Sequence, residues 1–492
     1  MMKRHLPTQR PLLGPALNLD ARIPADHVLR KIQQAVDFEF VYNEVEHLYG
    51  AVGRPSVPPP VLLKMMVLLF LFNVPSEREL MRTIPLRLDW LWFLGYELDA
   101  DVPNHSVLSK ARRRWGVDVF HALLRRVIES CVAAGLVGGK KVFIDASLID
   151  ANASVDSIVD TDKLARELAT RLDGDPEGGG PDAPPPSEPP PSKSSHEKRA
   201  SARYRSSTDP DATGTKHGTG KMRLRYATHR VVDATAGVIT ASVIGPGHEN
   251  EAERLQQVLE QHEEHTGISA QTPVADTKYG TRENLLHCHE AGLTPHIRPY
   301  RASYGKREGM FCDCEFRYDA AADLYRCPAG QELTRRQRQK EKGGYRYAAP
   351  QRVCAACPAR HLCTTSKTAP RRILRLDNQD VIDAFAKQCR SPEARADLKQ
   401  RFWMMEGSFA QSIRMGYKRA RWRGLWRVQI QDLIIAALQN ALLLARRAPN
   451  YLKRLIRTLF SWLRGPIRTI RLTDAYVTLV LSPVPSLAGS AA

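Results

Sequence analysis

The alternation of apolar and polar positions predicts helices through most of residues 25–136. The apolar stretch 61–70 follows three prolines, which are tolerated where a helix begins but not inside one. A second helix is predicted to begin at Ser76, because Glu79 three residues later completes a capping box. Short helices in succession favour a small bundle of the helix-turn-helix kind, which would make residues 1–136 a DNA-binding domain.

The pattern changes at residues 142–144, a Val-Phe-Ile run that predicts a fully buried strand. Asp145 follows directly, and a carboxylate in a buried strand is costly to ionise unless a cation lies against it. A divalent metal is one cation that would serve. The alternative is that Asp145 caps the turn at the end of the strand.

Alternating apolar segments continue beyond this strand. Further strands are predicted at 223–232, 238–244, 273–275 and 294–297, with helices at 249–262 and 282–291. This order of elements predicts an α/β domain of the RNase-H-like class, a mixed sheet flanked by helices. In that topology the first and fourth strands are neighbours. Asp145, which the first strand carries, and Asp276, at which the fourth strand ends, are therefore predicted to converge.

Composition divides the chain into five segments. Residues 173–198 are rich in Pro, Gly and Ser and predict a flexible insert, because they lack the apolar surface to order themselves. The predicted segments are 1–136, a helical DNA-binding domain; 137–300, the first part of a catalytic core with the insert; 301–375, a cysteine-rich insertion; 376–448, the C-terminal helices of the core; and 449–492, a basic and apolar tail that we do not assign.

Six of the nine cysteines lie between Cys312 and Cys363, in a polar region where few strands are predicted. Four of them, Cys327, Cys354, Cys357 and Cys363, could supply thiolates to one ion, and all-sulfur sets favour tetrahedral Zn²⁺. The alternative is a set of free thiols. So few cysteines in so long a chain favour a reduced, cytoplasmic protein over a secreted disulfide scaffold.

Lysine and arginine number 72 against 53 acidic residues, a formal net charge of +19. Such an excess draws a protein to polyanions, of which nucleic acid is the leading candidate. The side chains that we expect to contact DNA are Arg112, Arg113, Arg114, Lys278, Arg414, Lys418, Arg419, Arg421 and Arg423. For the cluster ending at Arg114 the alternative is a solvated helix face. No membrane span is predicted, since the longest apolar run, 61–74, is shorter than about 18 residues and contains Lys64.

Residues 399–427 contain eight basic residues and one acid, Glu406. In isolation Glu406 would pair with a neighbour such as Arg401. A helix that follows the last strand of an RNase-H-like sheet packs across its middle, however, where Glu406 would reach Asp145 and Asp276.

Three aromatic residues accompany this acid. Trp403 is expected in the core, whereas Tyr417 and Trp422 fit either a core position or stacking on unpaired bases. Apolar positions at helical spacing in 429–444 predict a buried closing helix.

Several motifs occur together in a fixed order. They are Gly53-Arg54-Pro55, the run 143–153 around Asp145, Thr208-Asp209-Pro210-Asp211-Ala212, Val274-Ala275-Asp276-Thr277-Lys278-Tyr279-Gly280, Glu406-Gly407-Ser408-Phe409-Ala410-Gln411, Arg423-Gly424-Leu425 and Gln439-Asn440. Over residues 10–447 the chain resembles the bacterial insertion-sequence transposases of the DDE type, in the branch whose third acid follows a long insertion.

The resemblance implies that Asp145, Asp276 and Glu406 are the catalytic acids and that they hold two Mg²⁺ or Mn²⁺ ions. It implies an enzyme that cuts DNA at the inverted-repeat ends of a mobile element and joins the 3′-hydroxyl to target DNA by two-metal phosphoryl transfer. It further implies a homo-oligomer on DNA in the bacterial cytoplasm, associated with the nucleoid when bound. The alternative is a DNA-binding protein derived from a transposase, with a decayed, non-cleaving site.

Overall fold

The computed structural model describes residues 2, 18–50, 52–53, 55–160, 204–215, 221–300, 309–462, 470–472 and 477–479. The predicted flexible insert, 173–198, lies outside the described residues, as does most of the unassigned tail.

The N-terminal part of the chain is helical, as predicted. Its α-helices are α1 Leu19–Arg22, α2 Val28–Ala35, α3 Phe40–Val45, α4 Pro59–Leu71, α5 Glu77–Thr83, α6 Leu88–Leu94, α7 Ser106–Trp115 and α8 Asp118–Ala133. Helix α4 begins at the predicted prolines and is buried almost all round, so it forms the centre of the bundle. The predicted cap is also confirmed, since Ser76 Oγ accepts a hydrogen bond from the Glu79 amide at 3.1 Å.

A mixed sheet follows the helices and carries the predicted RNase-H-like fold. Its strands are β1 Lys141–Asp150, β2 Ile158–Asp160, β3 Tyr204–Ser206, β4 Thr213–Thr215, β5 Arg223–Asp233, β6 Ile239–Pro246, β7 Thr272–Ala275 and β8 His296–Ile297. They lie in the order β2-β3-β4-β5-β1-β7-β8. Strand β6 also pairs with β5, on the edge of β5 opposite β1. Strand β1 is antiparallel to β5 and parallel to β7, so the predicted neighbours are indeed adjacent.

Both faces of this sheet are covered by other elements, and β1 places alternate apolar side chains in the core on each face. Val142 and Ile144 pack in one core with helices α9 Leu255–Thr266 and α10 Arg282–Glu290. Phe143 packs in the other core, which the sheet shares with the N-terminal bundle and the C-terminal helices. Burial on both faces explains why residues 142–144 are apolar without alternation.

The cysteine-rich insertion contains a second, antiparallel sheet. Its strands are β9 Arg317–Asp319, β10 Leu324–Arg326, β11 Glu332–Gln339, β12 Gly344–Ala348 and β13 Arg372–Leu376. Two short helices, α11 Gln351–Ala355 and α12 Arg360–Cys363, lie between β12 and β13 in the sequence. The expectation of few strands was wrong here. Tyr318, Tyr325 and Tyr347 stack on one another across the strands and supply an apolar face that the charged composition concealed.

Three helices complete the core: α13 Gln379–Gln388, α14 Pro392–Arg414 and α15 Leu425–Trp462. The N-terminus of α15 is capped by two acids of the Thr208–Ala212 motif, since Asp209 accepts a hydrogen bond from the Gly424 amide and Asp211 from the Leu425 amide. Anionic groups at this end also complement the helix dipole.

The predicted closing helix is confirmed within α15. Its residues 425–447 are long and apolar enough to cross a membrane, but 78% of the most apolar window is buried inside the protein. Residues 425–447 are therefore buried as in the core helix of a folded domain, which explains why they are so apolar.

Candidate active site

Asp145 lies on β1 directly after the buried Val-Phe-Ile run, and its side chain is half-buried. One oxygen, Oδ1, accepts a hydrogen bond from the Ala146 amide at 2.9 Å. The other, Oδ2, lies 2.8 Å from Nη1 of Arg401, which comes from helix α14. The cation that this carboxylate was predicted to require is therefore supplied, within the described chain, by an arginine.

Asp276 follows the end of β7, the parallel neighbour of β1. The register pairs Phe143 with Val274, and two further residues along each strand bring Asp145 and Asp276 to the same level. The Asp276 carboxylate caps the short helical turn that follows, accepting a hydrogen bond from the Lys278 amide at 2.8 Å. The predicted convergence of the two aspartates is thus confirmed.

Glu251 is the third acid at this position, and sequence reasoning missed it. One carboxylate oxygen from each of Asp145, Glu251 and Asp276 lies within 4.8 Å of the others. Glu251 opens the helical turn after β6, a position where an acid ordinarily serves only to complement a helix dipole. For that reason nothing in its local sequence distinguished it from an ordinary first-turn acid.

The acid cluster formed by Asp145, Glu251 and Asp276 is balanced by two cations. Lys278 Nζ lies 2.7 Å from Glu251 Oε1, and Arg401 holds Asp145. In the part of the chain that the structure describes, no other group of three or more His, Cys, Asp or Glu side chains has its ligand atoms this close together.

The electrostatics of the acid cluster favour a bound cation. Burial raises the pKa of Asp145, and the nearby Asp276 adds to the rise while Arg401 opposes it. Burial likewise raises the pKa of Glu251 against the effect of Lys278. The pKa of Lys278 is raised even though burial opposes its charge, because Glu251 accepts its hydrogen bond and both aspartates lie nearby. Crowded, partly dehydrated carboxylates of this kind gain from any added positive charge.

Glu406 is not part of the acid cluster. Helix α14 turns Ala394, Asp397, Met405 and Ser412 inward, whereas Glu406 is exposed. At 3.6 residues per turn, Glu406 lies about 140° around the helix from Arg401, the side chain of α14 that reaches Asp145. The role assigned to Glu406 from the sequence therefore stays a prediction without support from this geometry.

The basic residues predicted to contact DNA fall into two groups. Six are exposed outside the acid cluster, namely Arg113, Arg114, Arg414, Lys418, Arg419 and Arg423, and Lys278 is exposed beside it. Arg112 and Arg421 instead join the N-terminal bundle to the core, and for Arg112 the prediction was wrong.

Arg112 is only 3% exposed. It pairs with Glu77 at 2.5 Å, and its guanidinium lies 3.9 Å from the centre of the Trp422 ring. Arg421 is half-buried and donates a hydrogen bond to Asn73 Oδ1 at 2.7 Å. The run of three arginines on α7 predicted phosphate contacts for all of them. Arg112 points inward instead and joins the N-terminal bundle to the core.

The aromatic residues near Glu406 also differ from expectation. Trp403, expected in the core, is 63% exposed. Tyr417 is buried and donates a hydrogen bond to Asp432, and Trp422 packs edge-on against Phe70. Tyr417 and Trp422 are thus core and interface residues.

The four cysteines predicted to bind zinc line a single cavity in the insertion, together with Phe311 and Phe316. Their sulfur atoms do not form a group of three within 4.8 Å of one another. Burial raises the pKa of Cys354 and of Cys363, and the neighbouring thiols add to the rise in each case.

A mixed sheet with carboxylates gathered on two adjacent parallel strands, one within β1 and one directly after β7, is typical of the RNase-H-like class of nuclease-type domains. Two family models match the chain. A transposase domain (DUF772) matches residues 17–114, which form the helical bundle, and a transposase DDE domain matches residues 326–444. No curated protein matches the chain.

The two matches lie in the order expected from the sequence motifs, and together they support an insertion-sequence DDE transposase. The second match contains Arg401 and Glu406. It begins after Asp145, Glu251 and Asp276 and therefore does not include the acid cluster.

Proposed function

We propose that this transposase cuts DNA at the ends of its mobile element and joins the freed 3′-hydroxyl to target DNA. The observation that carries the proposal is the convergence of Asp145, Glu251 and Asp276 within 4.8 Å. Three oxygen donors of this kind suit hard divalent cations such as Mg²⁺ or Mn²⁺.

The acid cluster fits the metal ions that the family implies. Its donors are all carboxylate oxygens, two of them with pKa values raised by burial, and they are exposed enough to meet a substrate. Two bound ions would stabilise the attacking and leaving oxygens of a displacement at phosphorus. Asp145, Asp276 and Glu251 would hold them, and Glu406 remains a candidate on the strength of its motif.

The chain's own cations prepare the acid cluster before any metal binds. Arg401 and Lys278 hold Asp145 and Glu251 at fixed positions and reduce the repulsion between three neighbouring negative charges. Loading of metal requires these two cations to give up their partners, and phosphates of the DNA are suitable new partners for them. The exposed basic residues outside the cluster would hold the rest of the DNA through its backbone.

The test uses labelled DNA that carries the flanking inverted repeats, with Mg²⁺ or Mn²⁺ present. Asp145→Asn, Asp276→Asn and Glu251→Gln are each expected to abolish cleavage while leaving DNA binding within about twofold of the original chain. The matched control is Glu260→Gln, an exposed acid on α9, which should cleave normally. Wild-type cleavage by any of the three variants would remove that residue from the active site.

Glu406→Gln in the same assay decides the third acid. Loss of cleavage by Glu406→Gln but not by Glu251→Gln would mean that α14 turns when DNA binds and presents Glu406 to the aspartates. Loss by Glu251→Gln alone would make Glu251 the third ligand.

A DNA-binding protein without cleavage is the second candidate function. The observation that favours it is that cationic side chains already pair with two of the three acids. Specific binding to the inverted repeats without cleavage in Mg²⁺ or Mn²⁺ would establish this alternative.

We also propose that Cys327, Cys354, Cys357 and Cys363 bind one structural Zn²⁺ ion. All four line one cavity, and the Gln331 amide lies 3.2 Å from Cys327 Sγ, where it would stabilise a thiolate. A zinc ion would draw the sulfurs together and displace their protons, since it binds thiolates. Such an ion would fix the two short helices of the insertion against its sheet.

A further inference from the structure

Helix α14 exposes two aromatic side chains immediately after the arginine that holds Asp145. Phe402 is 48% and Trp403 63% exposed, and their rings meet edge to face with centroids 5.6 Å apart. The other tryptophan side chains that the structure describes are buried or half-buried. A large aromatic pair left in solvent usually marks a binding surface.

The charges around this pair indicate the kind of partner. On the exposed side of α14, Arg395 and Lys399 lie within two turns before the pair and Arg414 lies at the end of the helix. Glu406 is the exposed acid of the same side. An aromatic pair flanked mainly by cations suits a polyanion that carries flat, apolar rings, which describes nucleic acid.

Geometry limits which part of the DNA the pair could touch. The pair lies across the helix from Arg401, so a strand that runs from the acid cluster to the pair passes around α14 and covers at least one helix diameter, roughly 10–12 Å. At about 3.4 Å per nucleotide, this distance corresponds to roughly three nucleotides along a strand. Bases in an intact duplex hide their faces against one another, so exposed rings can stack only on bases that are unpaired.

We propose that Phe402 and Trp403 form a stacking platform for unpaired bases a few nucleotides from the phosphate that is cut. This proposal rests on the proposed function, because it takes the acid cluster as the point of cleavage. The platform would favour DNA ends that are frayed or distorted and would help to hold the strand after it is cut.

The test measures binding without metal, so that cleavage plays no part. Two inverted-repeat DNAs are compared by fluorescence anisotropy, one fully paired and one with three unpaired nucleotides at the cleavage end. Trp403→Ala is expected to weaken binding of the unpaired end by about 5- to 150-fold, the range typical of losing one stacked base. Binding of the paired DNA should change less than twofold.

Two further variants make the result specific. Trp403→Phe keeps a flat ring and should recover most of the affinity for the unpaired end. Ile413→Ala is the matched control, since Ile413 is 51% exposed on the same helix but has no ring. It should leave both affinities unchanged. A 2-aminopurine placed among the unpaired nucleotides should be quenched by the original chain and not by Trp403→Ala.

Equal binding of the unpaired end by Trp403→Ala and the original chain would overturn the proposal. So would a loss of self-association, seen by sedimentation, in both Trp403→Ala and Ile413→Ala, because the face would then be a contact between two copies of the chain. Failure of the proposed function gives a different result in the cleavage assay, whatever Trp403→Ala does to binding: the original chain would not cleave in Mg²⁺ or Mn²⁺, or Asp145→Asn would still cleave.

Discussion

Replacing Arg230 by methionine is expected to destabilise the core strongly, because it removes the cation from a fully buried network. Arg230 lies on β5 directly across from Asp145, and its Nη1 donates hydrogen bonds to Ser408 and Ser412 of α14 at 3.0 and 2.9 Å. Its Nη2 lies 3.2 Å from Asp432 Oδ1 of α15, and neither side chain is exposed. One guanidinium therefore ties the sheet to both C-terminal helices.

The magnitude follows from what the variant leaves behind. Removing one partner of a buried ion pair typically costs about 3–5 kcal/mol, since the other charge stays buried. Asp432 keeps its hydrogen bond from the Tyr417 hydroxyl, so we expect the lower end, about 3 kcal/mol. The double variant Arg230→Met/Asp432→Leu leaves no isolated charge and should recover most of the loss.

Urea unfolding followed by circular dichroism measures the effect. With a denaturant dependence of about 3 kcal/mol per molar, a loss of about 3 kcal/mol lowers the midpoint by about 1 M. The matched control is Arg223→Met on the same strand. The Arg223 side chain is 58% exposed, so its pair with Asp150 should contribute less than about 1 kcal/mol. A midpoint shift below about 0.3 M for Arg230→Met, or a double variant no more stable than the single one, would refute the reasoning.

Three other predictions concern metal, pH and the domain interface. Freshly reduced protein is expected to contain one zinc per chain by metal analysis, and Cys354→Ser should lose it while Cys288→Ser, a buried thiol outside the cavity, should keep it. Burial lowers the pKa of His229 to about 4, so unfolding takes up a proton below pH 6.5 and the free energy of unfolding should fall by up to about 3 kcal/mol between pH 6.5 and 4. His229→Leu removes the titrating group and should make the free energy of unfolding, measured by urea titration, depend less on pH. Leucine is tolerable here because neither ring nitrogen of His229 has a hydrogen-bond partner among the described residues. Arg112→Ala should lower the thermal midpoint of unfolding and leave the affinity for DNA nearly unchanged, because it leaves Glu77 without its buried cation. A large loss of DNA affinity with an unchanged midpoint would instead place Arg112 on the DNA-binding surface.

The order of the helices and strands was predictable because the spacing of apolar residues differs between helices, half-buried strands and fully buried strands. The run 142–144 is apolar throughout since β1 is covered on both faces, and that mark identified the central strand. Once β1 and β7 were recognised as neighbours, the meeting of Asp145 and Asp276 followed from topology. Neither inference required knowledge of a side-chain contact.

Contacts between distant segments were not predictable in the same way. Glu251 enters the acid cluster through the path of the loop after β6, which no local pattern encodes. Arg112 is buried because Trp422, more than 300 positions away, offers its ring face. A basic helix has the same appearance in the sequence whether its arginines meet phosphates or another part of the protein.

The position of Glu406 depends on the rotation of α14, and the sequence allows two rotations. One apolar stripe contains Ala394 and Met405 and is the stripe that the structure buries. A second contains Phe402, Trp403 and Ile413, which are exposed, and Glu406 lies in the middle of it. Sequence reasoning placed Trp403 in the core and Glu406 at the aspartates, and both expectations assume the other rotation. Trp403 is exposed instead, whereas the role of Glu406 stays a prediction.

This link makes a joint prediction for the exposed stripe. In the rotation described here, a strand that stacks on Trp403 passes close to Glu406, whose negative charge then opposes its phosphates. Glu406→Gln should therefore bind the unpaired end at least as tightly as the original chain in the absence of metal, with the effect larger at low salt. If α14 instead rotates to bring Glu406 to the aspartates, Trp403 must become buried, and its fluorescence should shift to shorter wavelength when Mg²⁺ and DNA bind. Measuring both quantities on the same DNA distinguishes the two rotations.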